Sequence, residues 1–210
     1  DKTIKWLKNF RKYNFQKHDT AHLELHGGEP FLVPVSEMQY VYDATKNLWE
    51  HQSMGITSNL TFKLKQEHID FIKGPLKNRC GTSWDPNIRF ANEKQANLWR
   101  KNVETLISEG VDIKLFISVT KDTIRIEPIE LLKWVRDLGV KEMALERLTG
   151  NGNANLHPEI FPSNIEQDKW FLKMHEQSIE YNTRDWFENE FFETIYSKFE
   201  TGSTKDGTFC

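Results

Sequence analysis

Cysteine is nearly absent from this chain: there are two, Cys80 and Cys210, and the second is the last residue. Two thiols so far apart argue against a disulfide framework, and they cannot by themselves make a protein-only metal cage. Long hydrophobic runs are also missing. The longest apolar stretch, around Leu115–Val119, falls far short of the roughly 20 residues a bilayer crossing needs. Charge of one sign is lacking too, since 28 Lys and Arg face 31 Asp and Glu. With no basic run to neutralise a phosphate backbone, nucleic acid is not expected as a general partner. The first residues have no apolar core followed by a small-residue cleavage site, so no secretory signal is read and a cytoplasmic location is the default expectation. Neither G-x-G-x-x-G, G-x-x-x-x-G-K-[ST] nor G-x-S-x-G occurs, which removes the main support for dinucleotide, P-loop and nucleophile-elbow readings.

What is present is aromatic. The 210 residues include 14 Phe and 7 Trp, with 38% apolar and 28% charged residues overall, a mix too rich in large side chains for disorder and too polar for a membrane protein. A soluble globular protein of one main core is expected.

Periodicity then divides the chain. Residues 1–17 carry Ile4, Leu7, Phe10 and Tyr13 at three-residue steps, with Trp6 beside them, as an amphipathic helix does. Residues 21–30 alternate briefly, with Leu23 and Leu25 on one face, and stop at two glycines and a proline, as a strand ending in a turn does. Ser36 is placed to cap a helix over 37–51. Strands are predicted over 54–59, 78–84, 112–120 and 141–149. Helices are predicted over 66–73, 93–109, 127–138 and 165–181, with Gly110 and Gly139 in helix-ending positions and Pro128 tolerated in a first turn. Residues 150–155 read as a loop. Strands separated by helices are βα repeats, whose crossovers demand a parallel sheet with helices over it. The expected fold is therefore α/β, an open sheet or a partial βα barrel. Residues 1–181 form its core, and 182–210 an aromatic, acidic helical piece and a polar linker.

In such folds ligands bind beyond the carboxyl ends of the strands. Five segments stand there: His26–Pro30, Thr57–Asn59, Thr82–Pro86, Ser118–Thr120 and Glu146–Leu148. In the first, Gly27 and Gly28 remove two Cβ atoms so that backbone can approach a ligand, and Glu29 adds a carboxylate suited to an ammonium. The plain alternative is a tight turn. On a regular strand Glu146 and Arg147 point to opposite faces, and Glu146, sharing a face with Leu148, is the better site candidate. His22 and His26 stand too far apart along a strand to share one metal ion. Cys80, inside a strand pattern, reads as a small buried hydrophobe. The stripe Trp186, Phe187, Phe191, Phe192 and Tyr196 reads as packing.

Taken together, HGGEPFL, ITSNL, GTSWDP and LWRKNVETLISEGVDIKLFISVTKDT, in order at successive strand ends from about Leu23 to Leu148, resemble the radical S-adenosylmethionine enzymes. Their nearest likeness is the branch with cysteine-rich C-terminal extensions of the SPASM or twitch type. The resemblance implies a partial (βα)6 TIM-like barrel of parallel strands. It implies S-adenosylmethionine and a [4Fe-4S] cluster as cofactors, an electron donor, and cleavage of the cofactor to a 5′-deoxyadenosyl radical that takes a hydrogen atom from substrate. A peptide or protein substrate is suggested first, a small molecule or nucleotide second; no catalytic residue is assigned. Gly27, Gly28, Glu29 and Pro30 match the motif that receives the methionine amino group. Ser58 and Asn59 match small polar residues at the next strand end, Ser83 a residue that meets ribose or carboxylate, and Leu148 a position against adenine. Glu146 joins them as a cofactor-binding candidate through the face it shares with Leu148. Arg89 is the candidate carboxylate partner, although the family places its basic residue several positions later, where this chain has Asn92, Glu93, Lys94 and Gln95.

The family's CxxxCxxC run is not in this sequence. Three thiolates must fix three irons so that the fourth can bind the cofactor, so the ligands lie outside the chain as given or the chain is a relative that binds S-adenosylmethionine or a partner protein without iron. Because the chain opens on a helix with no strand before it, the first alternative is expected, with a first strand and cluster loop preceding residue 1. Cys210, after a polar linker, is read as a ligand of an auxiliary cluster, the bland alternative being a terminal cysteine of no consequence.

Overall fold

The computed structural model describes residues 2–14, 20–85, 88–148 and 156–201. Tyr196 as a side chain, the predicted loop at 150–155 and Cys210 lie outside the described residues. Residue contacts divide the chain into two compact units, 1–82 with 98–111, and 83–97 with 112–210.

In the first unit the elements are helix α1 (Lys2–Asn14), strand β1 (Thr20–Leu25), helix α2 (Val35–Thr45), strand β2 (His51–Ile56), helix α3 (Gln66–Lys73), most of strand β3 (Arg79–Ser83) and the greater part of helix α4 (Glu93–Ser108). Strands β1 and β2 run parallel with Leu23 opposite Met54 and Leu25 opposite Ile56. Thr57 bridges Gly81 in the same parallel sense, and the Ser58 N–H donates to the Gly81 carbonyl at 2.9 Å. Alternation explains the layering. Leu23 and Leu25 are half-buried while His22 and Glu24 stay open, and Met54 and Ile56 are buried with Leu60, Phe71, Ile72, Trp99, Val103 and Leu106. Two polar groups are carried into this core with their partners. The Trp99 indole N–H donates to the Thr82 hydroxyl at 2.9 Å. The Asn102 amide donates to the carbonyls of Leu60 and Phe62 at 2.8 and 2.7 Å, which holds the segment after β2 while Leu60 takes a left-handed φ of 49°. Each such buried bond contributes about 1 kcal/mol net, and several times that is lost when one partner is removed.

The second unit holds strand β4 (Asp112–Val119), helix α5 (Pro128–Leu138), strand β5 (Glu142–Arg147), helix α6 (Asn164–Glu180), strand β6 (Glu188–Asn189) and helix α7 (Glu190–Thr201). Strand β5 lies between β4 and β6, parallel to both, with Ser118 opposite Glu146 and Met143 opposite Asn189. Ile113, Leu115, Ile117 and Val119 are buried and alternate with half-buried Lys114, Phe116 and Ser118. Leu131, Leu132 and Val135 of α5 and Trp170, Phe171 and Met174 of α6 are buried as well, and the Trp170 indole N–H donates to the Ile126 carbonyl at 2.9 Å. Helix α5 ends on Gly139 at φ 83°, a left-handed position that glycine reaches without a Cβ penalty.

Three expectations need correction. The helix predicted over 37–51 runs instead from Val35 to Thr45, entered from Pro34 with no side-chain cap, so Ser36 lies inside its first turn. Its early end coincides with Thr45, whose hydroxyl turns back to the Val41 carbonyl at 2.8 Å. Leu48 and Trp49 keep helical spacing but lie in the connection to β2, with Trp49 buried. That strand accordingly begins at His51 rather than residue 54. Finally, the segment after Tyr181, read as a helical piece and linker, also supplies a two-residue strand, β6, beside β5, too short for periodicity to reveal.

Candidate functional site

Six of the ten candidate cofactor residues belong to the first unit and four to the second. In the first unit the chain leaves β1 through Gly27 and Gly28, both at positive φ, 110° and 46°. Nothing lies within 4 Å of the position a Cβ would take at either residue. The backbone here is therefore bare by conformation and by surroundings. A cleft of about 450 Å³ runs alongside, bordered by His26, Gly27, Glu29 and Pro30 and, across it, by Met38 and Tyr40 of α2. That volume is within the range of small-molecule and cofactor clefts.

Glu29 shows a different role from the one its charge suggests. Its carboxylate accepts the Phe31 N–H at 3.0 Å, the Ser58 hydroxyl at 2.8 Å and the Asn59 N–H at 2.7 Å. Ser58 is buried, and its oxygen in turn accepts the Leu60 N–H at 3.1 Å. The Asn59 side-chain oxygen accepts from the backbone and hydroxyl of Thr61 at 3.0 and 2.9 Å. The end of β1 is thus tied to the end of β2 through one anion held by three donors. The structure brings Glu29, Ser58 and Asn59 together, as the sequence suggests, but with the carboxylate turned to protein donors. Pro30 is buried at the start of a short 3-10 turn over Pro30–Leu32, which Glu29 caps.

In the second unit the decisive residue is Asp85, to which the sequence motifs give no task. Asp85 is buried; one oxygen accepts the Ser118 N–H at 2.9 Å and the other pairs with Arg89, at 2.7 Å from Nε and 2.6 Å from the terminal nitrogen. The adjoining Trp84 N–H donates to the Phe116 carbonyl at 2.9 Å, and the Trp84 ring lies 4.5 Å from that of Trp134. Arg89 is therefore a positioned guanidinium with about a third of its side chain exposed. Glu146 stands opposite Ser118 in the sheet. Burial, then the negative charges of Asp85 and Glu190, push its carboxyl above the usual glutamate range, against the weaker pull of Arg89 and Lys114. Arg147 points the other way, bonded to Asp168 at 2.6 Å and lying over the Phe171 ring, so the expected separation of the two neighbours holds. Ser83 and Leu148 are half-buried at the ends of β3 and β5.

Thiolates for a metal cluster are not brought together: among the described residues no group of three His, Cys, Asp or Glu side chains could hold a metal ion. Cys80 is buried, and burial together with the charges of Glu29 and Glu24 pushes its thiol up to about 12, which makes it inert as a ligand or nucleophile. The described residues do not fit a [4Fe-4S] cluster. In the first unit the bare glycine edge offers open backbone, and in the second the Asp85-held Arg89 offers a guanidinium. His22 lies in a hydrogen-bonded chain with Ser53 and Glu24 that the sequence alone did not suggest.

No protein-family model matches the chain, and no curated protein matches it. Solved structures do. Native anSMEcpe with bound AdoMet and Kp18Cys peptide is 12% identical, with a TM-score of 0.75 over 98% of this chain and 59% of that one. A histidine-tagged anSMEcpe with bound AdoMet is likewise 12% identical, with a TM-score of 0.77 over 98% of this chain and 56% of that one. SuiB of Streptococcus suis is 13% identical, with a TM-score of 0.58 over 98% of this chain and 46% of that one. The fold is thus an α/β fold of parallel strands matching their partial barrel, and the chain spans about half to three-fifths of the length of these structures. No helix among the described residues is long and apolar enough to cross a membrane.

Proposed function

We propose that this chain is an S-adenosylmethionine-binding core of the radical S-adenosylmethionine type, which holds the cofactor at its strand ends for hydrogen-atom abstraction from a peptide or protein substrate. The observation that carries the reading is the edge at Gly27 and Gly28. Two residues at positive φ have open space where side chains would be, and one of them, Gly27, borders a cleft of cofactor size. Backbone carbonyls so exposed can accept from an ammonium. Glu29 keeps that edge in place by fastening it to Ser58 and Asn59. Arg89, aimed by Asp85, supplies a cation for a carboxylate, and Ser83 and Leu148 are the candidates for ribose and adenine. The fold likeness to structures that hold AdoMet, one of them with a peptide, supports both the cofactor and the substrate class.

Bound S-adenosylmethionine would supply a sulfonium whose one-electron cleavage yields the 5′-deoxyadenosyl radical, given an electron donor and a cluster whose thiolates are not among the described residues. This chain's own task is to bind, orient and exclude water. A second reading is a relative that binds the cofactor or a partner protein without iron. A cysteine triad encoded beside this segment, together with absorbance near ~400 nm after anaerobic reconstitution, decides for the radical enzyme.

The cofactor reading is tested with Gly27→Val. At φ 110° a β-branched residue is strained and fills the bare edge. Equilibrium dialysis with S-adenosylmethionine is expected to show binding to the parent and loss of at least a hundredfold in the variant, with circular dichroism retained. Unchanged affinity would remove the glycine edge from the site.

A further inference from the structure

We infer that the open face of the β1–β2 pair is a subsite for a primary ammonium or guanidinium group of the substrate, with Glu24 as its counter-charge. The register sets His22 beside Ser53 and Glu24 beside Gly55. Side chains on this face form one chain of hydrogen bonds. The Ser53 hydroxyl lies 2.8 Å from His22 Nδ1, His22 Nε2 lies 3.0 Å from Glu24 Oε2, and the Thr57 hydroxyl donates to Glu24 Oε1 at 3.3 Å. In the neutral imidazole this order makes Nε2–H the donor to Glu24 and leaves Nδ1 to accept from Ser53.

Gly55 makes the arrangement sterically possible. A Cβ built there would overlap the Glu24 carboxylate and press on the His22 ring. The carboxylate therefore lies down over the neighbouring strand where any other residue would displace it.

Charge decides what such a face recognises. Glu142, on β5, is answered by Lys114 at 2.8 Å, and Asp85 by Arg89. No lysine or arginine pairs with Glu24 among the described residues; its partners are an imidazole and a hydroxyl. The His22 and Glu24 side chains are 58% and 36% exposed, so the anion is reachable from solvent. Its negative field, with that of Glu29, is one reason the buried Cys80 thiol is held protonated. A carboxylate has about four lone-pair sites, and two donors leave room for the strongest partner available, a charge-assisted N–H of an ammonium or guanidinium. The face becomes a substrate subsite only if the cofactor reading holds, and it then names the chemistry of that substrate: a peptide bearing lysine or arginine.

The probes are Nα-acetyl-lysine amide, Nα-acetyl-arginine amide and the uncharged Nα-acetyl-norleucine amide, titrated into the full chain while the His22 imidazole signals are followed by NMR. Saturable shifts are expected with the two cations and at least tenfold weaker binding with norleucine amide. Glu24→Gln, at an exposed position, is expected to keep the circular dichroism spectrum and lose the preference. Gly55→Ala should weaken cation binding by displacing the carboxylate. Equal binding of norleucine amide, or an undiminished cation preference in Glu24→Gln, overturns the inference. Dialysis with S-adenosylmethionine separates the two readings. Cofactor binding without cation preference overturns this subsite alone, whereas cation preference without cofactor binding overturns the proposed function and leaves Glu24 as a cation site with no substrate role.

Discussion

Two carboxylates at strand ends, one in each unit, show how the same group can be spent in opposite ways. Glu29 is surrounded by neutral donors: two backbone N–H groups and a buried hydroxyl. Glu146 is exposed, but partial loss of solvent and the nearby carboxylates Asp85 and Glu190 disfavour its charge. The first anion is satisfied, and it acts as a clamp between β1 and β2. The second has its carboxyl pushed upward by lost solvent and by those charges. Residue type alone does not separate a structural acid from a responsive one; the count and charge of the donors do.

The largest effect is expected at the clamp. Glu29→Ala leaves the Phe31 and Asn59 N–H groups and the Ser58 hydroxyl without their acceptor at once, and hydrogen bonds to charged groups contribute about 1.5–3 kcal/mol each. Allowing for water reaching the half-buried turn, a loss of about 3 kcal/mol in urea unfolding is expected. Glu29→Gln should recover part of it, because the amide oxygen can still accept. A stability loss below about 0.5 kcal/mol in Glu29→Ala would show that the carboxylate is no clamp.

Asp85→Ala comes next. It strips Ser118 N–H and the Arg89 guanidinium of a buried partner, and breaking a buried pair from one side costs about 3–5 kcal/mol. Because a third of Arg89 is exposed and can turn to water, about 2 kcal/mol is expected. In the same variant the affinity for S-adenosylmethionine should fall by about tenfold, since an unheld guanidinium must be ordered on binding. Retained affinity with lost stability would make Asp85 a packing residue only.

These sites were legible in the sequence to different depths. Motif order placed Glu29, Ser58 and Asn59 at successive strand ends, where Glu29 is bonded to the other two, and strand alternation separated Glu146 from Arg147, because period two is a local property. Helix α3 was readable residue for residue, bounded as it is by Lys65 and Gly74. What escaped depended on register. Ser53 reaches His22 only because β2 pairs with β1 in one particular alignment, and Gly55 gains its meaning from a side chain on the neighbouring strand. Asp85 pairs with Arg89 only four residues along the chain, but its bond to the Ser118 N–H depends on a strand whose alignment the sequence does not give. The misplaced end of α2 has another cause: helical spacing continues through Leu48 and Trp49 although the backbone has already turned.

The smallest effect, and the sharpest test of the contrast, is the pH response of Glu146. Its folded-state pKa is raised, first by burial and then by Asp85 and Glu190. The native state therefore binds the proton more tightly than the unfolded chain does, so stability from this group is full below the ordinary glutamate pKa. It declines as pH rises through the higher folded value. Glu146→Gln, which cannot ionise, is thus expected to match the parent in acid and to become the more stable protein toward neutrality. Solvent screening at this exposed residue limits the gain to a few tenths of a kcal/mol. Urea midpoints of Glu146→Gln and its parent between about pH 4 and 7.5 measure the difference. If the difference between Glu146→Gln and its parent does not change with pH, the carboxylate is not strained by its neighbours.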